Sequence, residues 1–215
     1  MSSRRAARRL GIVAMAGAAL QLVYGVLAVV WPYPLIIAPA PELVWGVVNL
    51  GMLAGIAAWL AIDVARPRWL ALIGGGVAIL GHLMRVAVSI WTSIQPGANP
   101  DRVTTTILAS IALMFGGMAL LAIGTVVGRR LSGLGRWAPG LVLATGLITA
   151  AFYSIERMVH FVLLGLLWGA AWLLLAYVAH REATKAIISG NPAGPAAVTV
   201  DEDEETLSSN TSPAR

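Results

Sequence analysis

Six long apolar runs, separated by short polar stretches, occupy the chain between residues 10 and 179. Each run approaches or exceeds the roughly 20 residues that an α-helix needs to cross about 30 Å of hydrocarbon. Backbone N–H and C=O groups in lipid must pair within their own segment, so each run predicts a helix. We therefore expect an all-α integral membrane bundle of six transmembrane helices, at about 10–31, 43–62, 69–92, 104–127, 137–155 and 158–179.

The overall composition supports a membrane protein. Of the 215 residues, 58% are hydrophobic and only 12% are charged, which is unlike a soluble domain. The net charge of +5 comes from basic residues scattered between the apolar runs. We therefore expect the lipid bilayer, and not nucleic acid, as the main partner. The absence of cysteine excludes disulfides and thiolate ligands for a metal or a haem.

Lysine and arginine are distributed unevenly between the two sides of the predicted bundle. Twelve fall on the side of the termini, and only Arg102 and Arg157 fall on the other. Because basic loops are retained in the cytoplasm, both termini are predicted to be cytoplasmic. The basic leader at 1–9 precedes an apolar run that is too long for a signal peptide, so we interpret it as a cytoplasmic N-terminus. The arginine-rich and alanine-rich composition is typical of a bacterial protein and favours the inner membrane.

Residues 180–215 differ from the rest of the chain. They are polar, rich in Gly, Pro and Ser, and contain an acidic run at 201–205. Such a segment buries too little apolar surface to offset its chain entropy, so it is predicted to be a disordered acidic cytoplasmic tail. Acidic runs are typical of solvated stretches, and this one is also a candidate docking segment for a basic cytoplasmic protein partner.

The third apolar run carries two ionisable residues, His82 and Arg85, well inside it. At 3.6 residues per turn, small and polar residues share one arc of this helix and bulky apolar residues share the other. We therefore predict that the small and polar arc packs inside the bundle. That arc comprises Ala71, Gly74, Gly75, Ala78, Gly81, His82, Arg85, Ser89 and Thr92, and the opposite one Ile73, Leu80, Leu83, Met84, Ala87, Ile90 and Trp91.

Two further runs supply polar residues that could face this arc. Asn49 is at nearly the depth of Arg85, and Glu42 lies on the same face one to two turns away. Glu156 and Asp101 are other candidate counter-ions for Arg85. One hypothesis is an outward-facing pocket that suits an anionic group or a lipid headgroup, formed by Arg85, His82, Asn49, Glu42 and Glu156. The alternative is structural, with Arg85 snorkelling to the interface and pairing there to hold two helices together.

Signatures of membrane enzymes are weak. Ser110 stands in "LASIAL" and lacks the Gly-x-Ser-Gly setting of rhomboid-type proteases. His160 and His82 differ in depth by about 10 Å, which is too much for shared haem ligation. We expect no catalytic residue, no cofactor and no metal site, and an intramembrane hydrolase is only a third alternative.

Glycine and tryptophan positions complete the picture. "GMLAG" and "GLLWG" fit the close-packing GxxxG pattern, and we interpret them as packing sites inside the bundle, with the oligomeric state left open. Tryptophans near the ends of the runs predict an aromatic belt at the membrane interfaces. They are Trp31, Trp45, Trp59, Trp69, Trp91 and Trp137, whereas Trp168 and Trp172 do not fit the belt.

Two late segments, "GRRLSGLGRWAPGLVLATGLITA" and "LLGLLWGAAWLLLAYVAHRE", resemble the uncharacterised six-span membrane proteins common in high-GC bacteria. The resemblance covers roughly residues 40–182. It implies a six-helix membrane fold and no assigned activity. Three functions stay open: a non-enzymatic structural or regulatory membrane protein as the leading hypothesis, a small-solute or lipid transporter or binding protein, and a hydrolase.

Overall fold

The computed structural model describes residues 2–30, 40–95, 97–152, 155 and 157–189. This part of the chain is helical apart from short connections and contains no strand. The expectation of an all-α protein is confirmed. The helices are α1 (Ser2–Val30), α2 (Ala40–Ala61), α3 (Arg68–Ile94), α4 (Pro100–Gly128), α5 (Leu134–Phe152) and α6 (Arg157–Leu163), which continues through a π-helical segment (Leu164–Trp168) into α7 (Gly169–Ile188).

Five helices of the described chain are long and apolar enough to cross a membrane. They correspond to α1, α2, α3, α4 and the continuous last helix formed by α6, the π-helical segment and α7. The helix α5 has 19 residues and carries Arg136 and Pro139 near its start. These two residues shorten the apolar stretch of α5, which is therefore not among the five helices that are long and apolar enough to cross a membrane.

The last helix runs further than the apolar pattern predicts. The span was expected to end at residue 179, yet α7 continues to Ile188. Ala183 in the extension is buried, and the guanidinium Nη1 of Arg4 donates to the carbonyl oxygen of Ala186 at 2.7 Å. Contacts with α1 therefore carry the helix through residues that were assigned to the tail, and residues 190–215 lie outside the described residues.

The two faces of α3 are arranged as the sequence predicts. Its buried residues are Ala71, Gly74, Gly75, Ala78, Gly81, His82, Val88 and Ser89. Large residues of the opposite arc, such as Ile73, Leu80, Leu83 and Ile90, are exposed on the bundle surface. The prediction that the small and polar arc packs inside the bundle is thus confirmed.

Glycine pairs bring α1 into backbone contact with two neighbours. A Cβ atom added to Gly17 would lie 2.7 Å from the Cα atom of Gly51 in α2. One added to Gly25 would lie 2.7 Å from the Cα atom of Gly165 in the π-helical segment. Small residues permit this close approach of helix backbones. Gly51 and Gly165 therefore act as packing sites inside the bundle, in agreement with the interpretation of the GxxxG patterns.

Basic side chains and basic loops collect at one end of the bundle, called here the basic end. Arg4 reaches the C-terminal part of α7, as described above. The backbone N–H of Arg66, in the α2–α3 connection, donates to the carbonyl oxygen of Gly124 at 2.7 Å. The guanidinium of Arg136 donates to the carbonyl oxygen of Val126 at 2.8 Å, in the last turn of α4. The basic end thus joins the start of α1, the end of α7 and both intervening basic connections.

One member of the expected aromatic belt is misplaced. The ring of Trp59 is buried in the core, and its Nε1 donates to the hydroxyl of Thr125 at 3.1 Å. Trp69 and Trp137 are exposed, which agrees with a belt position, whereas Trp31 lies outside the described residues. The error arose because the distance of a residue from a helix end does not tell on which face of the helix it lies.

Candidate functional site

The centre of the site is a hydrogen bond between α2 and α3. His82 has no exposed surface, and its Nδ1 lies 2.8 Å from the side-chain oxygen Oδ1 of Asn49. The amide nitrogen of Asn49 donates to the carbonyl oxygen of Trp45 at 2.8 Å, which fixes the orientation of the amide. Oδ1 must therefore accept a hydrogen bond from Nδ1–H of the imidazole. A neutral imidazole is the form that an apolar surrounding favours, and it then carries a free lone pair on Nε2.

Trp172 of the last helix packs against this histidine, and Trp168 packs against Trp172. The rings of His82 and Trp172 meet edge to face with centroids 5.4 Å apart, and Trp168 and Trp172 meet in the same way at 6.1 Å. Trp168 Nε1 donates to the carbonyl oxygen of Val142 at 3.0 Å. Edge-to-face packing holds the imidazole in one orientation. The tryptophans that did not fit an aromatic belt therefore belong to the site.

The π-helical segment ties α1 to the same region. A π turn widens the helix, and such turns occur frequently at functional sites. The amide nitrogen of Gln21, a fully buried residue of α1, donates to the carbonyl oxygen of Leu164 at 2.6 Å. This bond fixes the side chain so that its oxygen Oε1 points away from Leu164. Close packing of Gly25 on Gly165, one turn further along α1, fixes the same junction.

The residues of the site lie in one layer of the bundle. The contact of Gly17 with Gly51 places Asn49, and hence His82, level with residues 18–19 of α1. Gly165 contacts residue 25 of α1, and His180 contacts residue 11. Trp172 lies midway between Gly165 and His180 along the last helix, so it is at the depth of residue 18 of α1. Gln21 is about three residues away, or roughly 4.5 Å along the helix axis.

Polar atoms within this layer have no hydrogen-bond partner among the described residues. They are Nε2 of His82, Nε1 of Trp172 and Oε1 of Gln21, and Ser89 adds a fourth such atom two turns further along α3. Each of these side chains is almost completely buried. An unsatisfied buried polar group costs about 1–3 kcal/mol, so native proteins rarely keep several together.

The structure brings together part of the predicted pocket. His82 and Asn49 are bonded, and Arg85 is half-buried on the same arc of α3, one turn from His82. The side chain of Glu42 and the whole of Glu156 lie outside the described residues. The pocket as a whole therefore stays a prediction.

Ser110 and His160, which were considered for catalysis and ligation, each contact a backbone carbonyl oxygen. The hydroxyl of Ser110, which is fully buried, donates to the carbonyl oxygen of Ile107 at 2.7 Å. The imidazole Nδ1 of His160 lies 2.8 Å from the carbonyl oxygen of Thr149. Within the described part of the chain, no three histidine, aspartate or glutamate side chains come together as metal ligands.

Sequence reasoning missed Gln21 and Trp172 as members of the site. A signal existed for each: Gln21 is a strongly polar residue within the apolar run of α1, and Trp172 lies mid-run. Comparison with protein-family models, curated proteins and solved structures found no match. The function is therefore argued from the site itself.

Proposed function

We propose that the protein is a six-span protein of a bacterial inner membrane, with both termini cytoplasmic, that binds a small polar solute inside the helix bundle without converting it chemically. The basic end would face the cytoplasm, as basic loops do. The sixth crossing would be α5, which packs between α4 and the last helix. A Cβ atom added to its Gly146 would lie 2.8 Å from the ring of Phe115 and 2.9 Å from Nε1 of Trp168.

The observation that carries the proposal is the set of buried polar atoms without partners on α1, α3 and α7. A purely structural contact between helices is most stable when every polar group is bonded, because each stranded group lowers stability. The bond between His82 and Asn49 alone would serve as such a contact. The additional atoms on Gln21 and Trp172 favour a binding role over the structural or regulatory role that is the leading hypothesis from the sequence.

Thermal unfolding of the full-length protein in detergent tests solute binding. The solutes are acetamide and glycerol (neutral), sodium formate (an anion) and methylammonium chloride (a cation). We expect at least one of them to raise the unfolding temperature in a saturable way, because binding to the folded state alone stabilises it. Trp172→Phe, which removes the Nε1 donor and keeps an aromatic ring, should weaken that rise.

His180→Phe provides the matched control. His180 belongs to the same helix but lies at the basic end, where its ring contacts the carbonyl oxygen of Arg8. This variant should respond to the solute as the wild type does. A rise that is equal in the wild type and in Trp172→Phe, or no saturable rise with any solute, would contradict the proposed binding site and favour a structural role.

A further inference from the structure

Three arginines near the start of α1 line one cleft at the basic end. The side chains of Arg5, Arg8 and Arg9 surround it together with Ile187 of α7, and its volume is about 250 Å³. We infer that this cleft binds the phosphate headgroup of an anionic phospholipid. It lies roughly 15 Å along α1 from the layer of His82, and the inference does not rest on the proposed solute site.

Contacts between α1 and α7 fix the two walls of the cleft. The guanidinium of Arg4 donates to the carbonyl oxygen of Ala186 at 2.7 Å. Further into the bundle, Nδ1 of His180 lies 3.3 Å from the carbonyl oxygen of Arg8. A Cβ atom added to Gly11 would lie 2.9 Å from the Cβ atom of His180. The cleft is therefore part of a closely packed helix junction.

The positive charge of the cleft is not balanced within the described part of the chain. No acidic side chain described there pairs with Arg5, Arg8 or Arg9, and the first turn of α1 holds no acidic residue. Spacings of three and four residues make these arginines neighbours on one helix face, where like charges repel. An anion between them removes this repulsion and accepts charge-assisted hydrogen bonds, which guanidinium groups form well with phosphate.

The residues next to the cleft select a lipid over a soluble phosphate. The apolar run of α1 begins at Leu10, directly after Arg9, so the guanidinium groups reach the level of the lipid headgroups. The face of α1 that carries them continues along the bundle as an exposed apolar stripe, which consists of Ile12, Ala16, Ala19 and Val23. A phospholipid has the same order of groups, because its phosphate is followed by acyl chains that need an apolar surface.

Native mass spectrometry of the full-length protein tests the inference by counting the lipids that stay bound after release from detergent micelles. The micelles contain anionic phosphatidylglycerol and zwitterionic phosphatidylcholine in equal amounts and with identical acyl chains. Each basic residue near an anionic surface strengthens binding about fivefold, so three arginines supply up to about a hundredfold. We expect the wild type to prefer phosphatidylglycerol about tenfold or more, and Arg5→Gln/Arg8→Gln/Arg9→Gln to lose most of this preference.

A matched control removes three positive charges from exposed positions of the basic end outside the cleft: Arg68→Gln/Arg129→Gln/Arg181→Gln. It should keep the preference of the wild type. Equal losses in the two triple variants, or no preference in the wild type, would overturn the inference. Without lipid, the cleft variant should unfold at the temperature of the wild type or above it, because it relieves repulsion. A lower temperature would show that the arginines bind a part of the chain itself, which would also overturn the lipid site.

Two further samples distinguish other occupants of the cleft. Glycerol 3-phosphate in excess carries the phosphate without acyl chains and should not displace phosphatidylglycerol; displacement would assign the cleft to a soluble phosphate. The acidic run is neutralised in Asp201→Asn/Glu202→Gln/Asp203→Asn/Glu204→Gln/Glu205→Gln, which should leave the lipid preference unchanged. A preference that appears only in this variant would assign the cleft to the acidic run of the chain and contradict the inference.

Discussion

The bond between His82 and Asn49 can be tested by removing each partner alone and both together. His82→Phe keeps an aromatic ring against Trp172 and removes both ring nitrogens. Asn49→Leu keeps the approximate volume of the side chain and removes the amide. In each single variant one buried polar group loses its partner. In the double variant neither group is left.

The expected magnitudes follow from this difference. Leaving a buried polar group without a partner costs about 1–3 kcal/mol, whereas replacing both partners by apolar groups of similar shape is close to neutral. Hydrogen bonds between membrane helices contribute about 0.6 kcal/mol on average and up to about 1.7 kcal/mol. Each single variant should therefore be less stable than the wild type by about 1–2 kcal/mol, and the double variant should be more stable than the sum of the two predicts.

Reversible unfolding of the purified protein by SDS in mixed micelles gives the free energy of unfolding for the four proteins. Sites that do not interact are additive within about 0.3–0.5 kcal/mol. A double variant whose loss equals the sum of the two single losses within that margin would refute the bond. Ser110→Ala is a suitable reference, because its hydroxyl donates to a carbonyl of its own helix and, among the described residues, to no group of α2, so its loss should be independent of Asn49→Leu.

Three further predictions concern the bundle. Gly17→Ala should lower the free energy of unfolding by about 1–3 kcal/mol, because the added methyl group overpacks against Gly51. Gly76→Ala, where a Cβ atom would meet nothing within 4 Å, should be neutral or stabilising. SDS unfolding compares the two variants, and equal losses would argue against the backbone contact. Arg4→Ala should loosen the end of α7, because it removes the donor to Ala186, and amide hydrogen exchange at residues 183–188 should rise while exchange in α3 stays constant. If both termini are cytoplasmic, an alkaline phosphatase fusion at residue 190 should be inactive and one at residue 98 should be active. An active fusion at residue 190 would show that the orientation is the opposite one.

The arc of α3 could be predicted because membrane helices separate residues by size and polarity. A helix in lipid gains nothing by burying Leu or Ile, but it gains close contact by burying Gly and Ala and avoids exposing His or Ser. The positions of Gly74, Gly81, His82 and Ser89 therefore indicate the inner face directly. Asn49 could be expected near this polar arc, because it lies at nearly the depth of Arg85 and is itself polar.

Other features of the site could not be derived from the pattern. The hydropathy of tryptophan is equally compatible with lipid and with the core. Whether the rings of Trp59 and Trp172 point to lipid or to the core therefore depends on neighbours that are distant in sequence. The π turn at Leu164–Trp168 leaves no periodicity that distinguishes it from an α-helix over five residues. Tertiary packing determines where the helix widens, and it also brings Gln21 of α1 to the carbonyl oxygen of Leu164.

The amide of Gln21 links the fold to the proposed ligand, and this limits which variants can test binding. Its nitrogen satisfies the carbonyl of Leu164 at the π turn, and its oxygen is one of the free acceptors. Groups at the two ends of one amide polarise each other, so a donor on Oε1 would strengthen the bond to Leu164. Any substitution of Gln21 removes both functions at once and would disturb the junction with α1 whether or not a solute binds. His82 has the same double role, because its Nδ1 holds the bond to Asn49. Trp172 Nε1 carries no such second bond, because ring packing holds Trp172. Binding is therefore separable from folding by substitution at Trp172 and not at Gln21 or His82.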